Sequence, residues 1–225
     1  MSGKRATPNL RIAVPKGSLF ADTVRMLADA GLETGSLAEA GRRLIVSAGG
    51  VDYIIVRPTD APVLVAGGGV DCGICGKDTL VEAALDVLEL VDLKYGFCRF
   101  VEAEPAGRAG EAEEAYERLG VLRVATKYPR VTGEYYERRG IQADIVCMHG
   151  NIELAPIVGM AERIVDITAT GRTLKENDLV VTGEVMTSTA RFIASPSSVR
   201  TDVRVVELAE SLEALCENAE ETMSS

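Results

Sequence analysis

The chain has 225 residues, 47% of them hydrophobic, and a formal net charge of -10. That apolar content is enough for one large core or two modest ones. Acidic residues are spread along the chain without a compensating basic block, which argues against broad binding of nucleic acid or anionic membranes. The apolar stretch at residues 12–14 is too short for a signal peptide or a membrane span. We therefore expect a cytoplasmic protein that holds anionic ligands locally.

Short strand patterns alternate with helical patterns in the first part of the chain. The first helix is predicted to begin at Ser18 as its N-cap, to bury Phe20, Val24 and Leu27, and to end before Gly31. Further segments are strands at residues 11–14, 44–46, 53–56 and 72–75, and helices at 61–66 and 78–85. This alternation predicts an α/β lobe.

A second α/β series follows a crossover predicted near residues 95–101. Its elements are helices at 112–119 and 133–139, strands at 122–125 and 145–148, an extended return at 180–192 and an amphipathic helix at 205–223, carrying Leu208, Leu212 and Leu215. The charged stretch 102–118 is predicted to be a solvated face. Two crossings predict a discontinuous lobe of residues 1–95 plus 183–225 and a second lobe of residues 96–182, joined by a hinge with a cleft between them.

Five cysteines lie within apolar runs, which favours reduced thiols over a disulfide framework. Cys72 and Cys75 form a CxxC spacing, so two interpretations stay open: a redox pair, or two small thiols packed in a strand, which we favour. The single histidine, His149, lies too far along the chain to complete a zinc site with them. We expect it to be structural or adjacent to a substrate.

The strongest local pattern is residues 166–179 (DITATGRTLKENDL), where an apolar run ends in an acid and a small, hydroxyl-rich turn. A glycine lets the backbone approach an anion, and N–H groups and threonine hydroxyls can surround it, so the pattern predicts a phosphate cradle. Asp166 is placed for sugar hydroxyls. An ordinary strand-turn-helix joint is the alternative. The segment resembles the phosphoribosyl-pyrophosphate (PRPP) loop of phosphoribosyltransferases, with Val165-Asp166 in place of two adjacent acids.

Six segments in order resemble the motif series of the ATP phosphoribosyltransferase family, over residues 10–195. They are 14–19 (VPKGSL), 56–62 (VRPTDAP), 71–78 (DCGICGKD, with Glu82), 125–129 (ATKYP), 150–156 (GNIELAP) and 166–179. Two positions depart from the family pattern: Ser18 stands where many members have arginine, and Asn151 where serine is common. An arginine contact made by other members therefore cannot be transferred to Ser18.

The resemblance implies a type IV phosphoribosyltransferase, whose two α/β lobes are periplasmic-binding-protein-like. It further implies the short form of the family, because the residues after Leu179 suffice only for a return strand and a terminal helix. Short-form members have a homodimer core and work in a hetero-oligomer with a regulatory subunit similar to histidyl-tRNA synthetase. Histidine sensing is then expected to lie in that partner.

The implied reaction joins N1 of ATP to C1 of PRPP and releases pyrophosphate. Mg²⁺ is expected to be carried by the substrate phosphates and to be held by no protein site alone, with Asp166 and Glu153 expected at the ribose hydroxyls or at their Mg²⁺. Lys16 and Arg57, each after an apolar strand, are the expected catalytic cations. The expected PRPP-binding residues are Glu153, Asp166, Thr168, Ala169, Thr170, Gly171, Arg172 and Thr173. The expected ATP-binding residues are Lys16, Gly17, Arg57, Asp71 and Gly73, although Asp71 and Asp78 could equally be structural caps. The rival functions are a two-lobed small-molecule binding protein without turnover and a CxxC oxidoreductase.

Overall fold

The structure, a computed structural model, describes residues 8–108, 110–168 and 171–223. The chain divides into two compact units, one of Met1–Gly96 with Thr189–Ser225 and one of Phe97–Ser188. The strands are β1 Leu10–Pro15, β2 Ile45–Ala48, β3 Val51–Val56, β4 Cys72–Gly76, β5 Leu88–Asp92, β6 Cys98–Pro105, β7 Leu122–Thr126, β8 Ala143–Cys147, β9 Arg163–Thr168, β10 Leu179–Ser188 and β11 Ala190–Ala194.

The α-helices are α1 Phe20–Asp29, α2 Gly35–Ala38, α3 Ala61–Ala66, α4 Lys77–Ala83, α5 Glu111–Leu119, α6 Pro129–Arg138, α7 Leu154–Ile157, α8 Arg172–Glu176, α9 Pro196–Thr201 and α10 Val203–Met223. Short 3₁₀ helices span Gly17–Leu19, Pro58–Asp60 and Ala106–Arg108. Ser18 lies inside the first of these and Leu19 is the N-cap of α1, so the prediction of Ser18 as the N-cap is wrong.

The first unit contains a six-stranded mixed sheet in the order β2-β3-β1-β4-β11-β5. Strand β1 is parallel to both β3 and β4, whereas β2 and β11 run antiparallel to their neighbours. The carboxyl ends of β1, β3 and β4 consequently meet at one edge of the sheet. The predicted amphipathic helix is confirmed as α10, whose Leu208 and Leu212 are buried in the core of this unit with Tyr53 and Phe192.

Cys72 and Cys75 are buried free thiols in β4. Because successive side chains of a strand alternate between its faces, a spacing of three puts the two sulfurs on opposite faces of the sheet. They accordingly pack in two different apolar clusters. Burial raises the pKa of the Cys72 thiol far above its ordinary value and that of Cys75 to about 12. The geometry supports packed structural thiols and argues against a redox pair.

The second unit contains a five-stranded sheet in the order β10-β6-β9-β7-β8. Strands β7, β8 and β9 are parallel, and β6 runs antiparallel to both β9 and β10. Strand β10 pairs with β6 as far as Ser188↔Cys98, which keeps the whole of β10 in this unit. Parallel pairing brings the carboxyl ends of β7, β8 and β9 to one edge.

A buried ionic cluster links β6 to β9 in this second unit. Glu102 and Glu104 are 2% and 6% exposed, and alternation places both on one face of β6. Arg163 at the start of β9 contacts Glu102 (Nη1 to Oε1, 3.1 Å), Glu104 (Nε to Oε2, 2.9 Å) and Glu113 on α5. The expectation that the whole stretch 102–118 is a solvated face is therefore wrong for the β6 glutamates, which are buried and share Arg163 as a counter-charge.

Asp202 fastens the start of α10 in the first unit. Its Oδ1 accepts the backbone N–H of Arg204 at 3.1 Å, and its Oδ2 accepts a guanidinium N–H of Arg204 at 2.6 Å. These bonds, the guanidinium hydrogen bond above all, hold the pKa of Asp202 below its ordinary 3.8. Because the pKa is depressed in the folded state, the stabilisation is present above the unfolded pKa and is lost as pH falls through the folded one.

We therefore expect Asp202→Asn to lower the free energy of unfolding at pH 7, and the difference from wild type to shrink as pH falls below about 4. Urea unfolding at pH 7, 5 and 3 measures this. A difference that stays constant over that range would contradict the ion pair as its source.

Candidate active site

The predicted phosphate cradle follows β9. Thr168 ends the strand, and its Oγ1 accepts the N–H of Gly171 at 2.7 Å, which ties the end of β9 to the start of α8. Gly171 is the N-cap of α8 and has a φ of +73°, a left-handed conformation that favours glycine. Among the described residues, its chain neighbours aside, a Cβ added there would meet no heavy atom within 4 Å. As far as the described residues go, the backbone at Gly171 is thus sterically open to an approaching anion.

Of the other residues predicted to form the phosphate cradle, two are described by the structure and two are not. Arg172 and Thr173 are exposed in the first turn of α8, and the Arg172 Nε contacts Glu176 Oε1 at 2.7 Å. Leu174 is buried in the core of the second unit and anchors the helix. Ala169 and Thr170 lie outside the described residues.

Asp166 lies on β9, two residues before the end of the strand, and its side chain is 15% exposed. Its Oδ1 accepts the N–H of Ile167 at 2.8 Å, and its Oδ2 accepts a hydrogen bond from Lys127 Nζ at 3.4 Å. Burial raises the pKa of Asp166 above its ordinary value, and the charge of Glu153 adds to this, whereas the Ile167 N–H and the Lys127 ammonium oppose it. Asp166, Glu153 and Lys127 thus form one interacting group.

Strand register explains why Lys127 meets Asp166. Thr126, the last residue of β7, pairs with Val165 of β9, so the next residue on each parallel strand, Lys127 and Asp166, lie side by side. The turn after β7 is held by the buried Thr126, whose Oγ1 accepts the Tyr128 N–H at 2.9 Å and the Thr132 hydroxyl at 3.1 Å. Lys127 belongs to the 125–129 motif, but no role was predicted for it from the sequence. Its position directly after a strand is the sequence feature that could have indicated one.

In the first unit the structure brings together Lys16, Gly17 and Arg57. Pro15 and Val56 are the last paired residues of β1 and β3, and the Lys16 N–H continues this pairing by donating to the Val56 carbonyl at 2.7 Å. Lys16 and Arg57 therefore follow neighbouring parallel strands, and both side chains are exposed. Gly17 has a φ of +81°, a left-handed turn that glycine adopts without strain.

Asp71 and Gly73 lie apart from that edge. The Asp71 carboxylate accepts the backbone N–H of Arg11 at 2.9 Å and the Ser198 hydroxyl at 3.1 Å, contacts at the amino end of β4. Gly73 is buried within β4, where an added Cβ would lie 2.7 Å from the Ala13 Cβ on the paired strand. These contacts give both residues structural roles. Asp78 is buried in the first turn of α4.

Two further candidate parts of the site are His149 and any group of potential metal ligands. His149 is exposed, just after β8. Over residues 8–108, 110–168 and 171–223, no group of three or more His, Cys, Asp or Glu side chains is arranged to hold a metal ion. In the same described part of the chain, no helix is both long enough and apolar enough to cross a membrane.

Comparison with solved structures tests the fold. A chain of the ATP phosphoribosyl transferase (HisG:HisZ) complex from Thermotoga maritima aligns with a TM-score of 0.75 and 33% identity, covering 93% of this chain and 99% of that one. A protein solved with bound L-arginine, Tv2483, aligns with a TM-score of 0.55 and 15% identity over 95% of this chain and 86% of that one, which shows the fold alone. The predicted α/β fold of two units, periplasmic-binding-protein-like, is confirmed.

Sequence comparison tests the family. The family model described as ATP phosphoribosyltransferase matches residues 57–216. An ATP phosphoribosyltransferase from Rubrobacter xylanophilus is 53% identical over 191 residues, 85% of this chain and 88% of its own length. Another from Moorella thermoacetica is 50% identical over 199 residues, 87% of each chain. The chain therefore belongs to the ATP phosphoribosyltransferase family.

Proposed function

We propose that this chain transfers the phosphoribosyl group of PRPP to N1 of ATP, giving phosphoribosyl-ATP and pyrophosphate in the first step of histidine biosynthesis. Family membership supports the reaction. The observation in the structure that carries it is the end of β9, where the Asp166 carboxylate lies two residues before the end of the strand and the left-handed Gly171 precedes the helix that follows. A carboxylate can accept hydrogen bonds from ribose hydroxyls, and a glycine turn before a helix suits an anionic phosphate.

The donor is proposed to bind to the second unit. Gly171, Arg172 and Thr173, with Thr168, Ala169 and Thr170 of the same segment, surround the 5-phosphate. Asp166 and Glu153 bind the ribose hydroxyls or the Mg²⁺ that accompanies them. In support, Asp166 interacts electrostatically with Glu153, and two carboxylates supply the hard oxygen donors that Mg²⁺ prefers. Two carboxylates leave most positions of the ion to phosphate oxygens, so the residues fit a metal that arrives with its substrate.

Lys16, Gly17 and Arg57 of the first unit are proposed to bind the phosphates of ATP and the departing pyrophosphate. The adenine N1 lone pair attacks C1 while the bond from C1 to the pyrophosphate oxygen breaks, with inversion and oxocarbenium character at C1. N1 carries its lone pair at neutral pH, so the attack needs no general base. Orientation of two polyanions and stabilisation of the leaving charge are the main demands, and exposed cations after rigid strands supply both.

A regulatory partner of the HisZ kind is proposed for this chain. The similar Thermotoga maritima chain was solved in a HisG:HisZ complex, and this chain covers 99% of it. We propose that a homodimer of this chain forms the core of a corresponding hetero-oligomer, with histidine sensed by the partner. Both substrates are metabolites of the cytoplasm, which is the proposed location.

Gly171→Val tests the donor site. Valine is expected to weaken PRPP binding by about tenfold or more, because its side chain occupies the space through which the phosphate approaches the backbone, whereas ATP binding changes little. Gly140→Val is the matched control: Gly140 also has a left-handed φ (+68°) and open surroundings among the described residues, but it precedes β8 at the opposite edge of the sheet.

Calorimetric titration of both variants with PRPP and with ATP measures the effect. The control carries the same kind of backbone strain, so it separates strain from loss of the anion site. Unchanged PRPP affinity in a folded Gly171→Val protein would remove this turn from the site.

A further inference from the structure

We propose that Lys127 binds the pyrophosphate group of the donor. The inference rests on the proposed function, since it takes the 5-phosphate to sit at the Gly171 turn and the ribose at Asp166. It concerns a residue to which the sequence motifs gave no role. Three features support it: the position of Lys127 at the edge of the sheet, its contact with Asp166, and the contacts that fix the backbone around it.

The sheet order gives the direction in which the donor extends. Strand β9 lies between β6 and β7, and α8, which follows the Gly171 turn, packs against β10 on the β6 side. Lys127 follows β7 on the other side of β9. The 5-phosphate and the C1 pyrophosphate project from opposite ends of a ribose ring. A donor held by its 5-phosphate at the turn and by its hydroxyls at Asp166 therefore extends its pyrophosphate towards Lys127.

The ammonium of Lys127 has the capacity to bind this group. It carries three N–H donors, and its contact with Asp166 Oδ2 uses one of them. The Lys127 side chain is 37% exposed, against 15% for Asp166, so the cation reaches further towards solvent than its partner. One N–H can thus steady Asp166 while the others donate to phosphate oxygens, in charge-assisted hydrogen bonds.

The backbone at Lys127 is fixed before any ligand arrives. Besides the two hydrogen bonds to the Thr126 hydroxyl, the Tyr128 ring packs edge-on against the buried Phe100 of β6, with 4.7 Å between ring centroids. A residue between a buried threonine and an anchored tyrosine loses little further backbone freedom when it binds. This preorganisation favours a binding role for Lys127.

The alternative is that Lys127 only neutralises Asp166 and never meets the donor. Ribose 5-phosphate distinguishes the two roles, because it keeps the 5-phosphate and the 2- and 3-hydroxyls but lacks the pyrophosphate. A lysine that acts only through Asp166 affects both ligands equally. A lysine that also contacts the pyrophosphate affects PRPP far more than ribose 5-phosphate.

Lys127→Met in the full chain, titrated with PRPP and with ribose 5-phosphate in the presence of Mg²⁺, is the test. We expect the PRPP dissociation constant to rise about tenfold or more and that of ribose 5-phosphate to change by less than about twofold. Lys127→Arg, which keeps the charge, should retain most of the PRPP affinity. If the methionine variant does not fold, Lys127→Gln removes the charge but keeps a polar side chain. The same two titrations, with PRPP and with ribose 5-phosphate, then test the inference.

Lys94→Met is the matched control, because Lys94 also contacts an aspartate (Asp92, 3.7 Å) but lies in the first unit after β5. It should leave both affinities unchanged. Suppose that wild type binds PRPP and forms product. Equal losses of affinity for the two ligands in Lys127→Met, or no loss of PRPP affinity, would then overturn the inference alone. Wild type that binds no PRPP would overturn the proposed function together with the inference.

Discussion

Arg57→Ala is expected to lower turnover by about a hundredfold, equivalent to about 2.7 kcal/mol of transition-state stabilisation, with a smaller effect on substrate binding. Arg57 directly follows β3, beside Lys16, so its guanidinium is mounted on a rigid strand end and exposed to ligand. Negative charge on the pyrophosphate grows as its bond to C1 breaks. A cation that contacts it therefore stabilises the transition state more than the ground state.

Steady-state rates at saturating ATP and PRPP measure the Arg57 effect. Arg57→Lys should restore activity only in part, since an ammonium cannot make the bidentate contact of a guanidinium. Arg25→Ala is the control: Arg25 is an exposed arginine of the same unit, on α1, paired with Asp22 within its own helix. Equal turnover for wild type and Arg57→Ala would refute the assignment of Arg57 to the leaving group.

Arg163→Ala is expected to lower the free energy of unfolding by about 3–5 kcal/mol, because it leaves carboxylates buried without their counter-charge. The Arg163 side chain is 10% exposed and bridges Glu102, Glu104 and Glu113. Glu102 also accepts hydrogen bonds from the hydroxyls of Tyr136 and Thr182, so its position is fixed and it cannot turn towards water. Arg25→Ala, which breaks an exposed pair, should cost less than about 1 kcal/mol.

The Arg163 effect should depend on pH. Burial raises the pKa of Glu113, but hydrogen bonds, including that from Arg163, outweigh burial and hold this pKa below its ordinary 4.5. A depressed pKa stabilises the fold above the unfolded pKa, so the difference between wild type and Arg163→Ala should shrink as pH falls below about 4.5. Urea unfolding of wild type and Arg163→Ala at pH 7 and pH 4 measures the loss of unfolding free energy and its dependence on pH. A loss under 1 kcal/mol at pH 7 would show that the cluster contributes little.

The sequence predicted the features that depend on local pattern. Alternating apolar strands and amphipathic helices such as α10 follow from residue periodicity, and the start of α8 after Gly171 follows from the glycine that comes after the apolar strand. It missed α2, β5, β6, α7 and α9. Strand β5 (LELVD) is a half-exposed edge strand that forms because it pairs with β11, which lies far along the chain at Ala190–Ala194. Helices of four and six residues are too short to show a period.

Two further features depend on contacts between distant residues. Glu102 and Glu104 look like surface charges until Arg163 of β9 is placed beside them. Lys127 gains a role only from the register of β7 on β9, which puts it next to Asp166. Gly73 was expected to bind ATP because of its motif, and the close approach of β1 to β4 adds a structural reason for glycine that only the fold reveals. A single sequence does not specify these pairings.

The most direct test of the central claim is to mix the chain with ATP, PRPP and Mg²⁺, with and without a HisZ-like subunit, and to measure phosphoribosyl-ATP and pyrophosphate. The account predicts that both products form in equal amounts, faster with the partner, and that Gly171→Val reduces both in parallel at limiting PRPP. Binding of ATP and PRPP with neither product formed, in the presence of the partner, would contradict it and favour a binding protein without turnover.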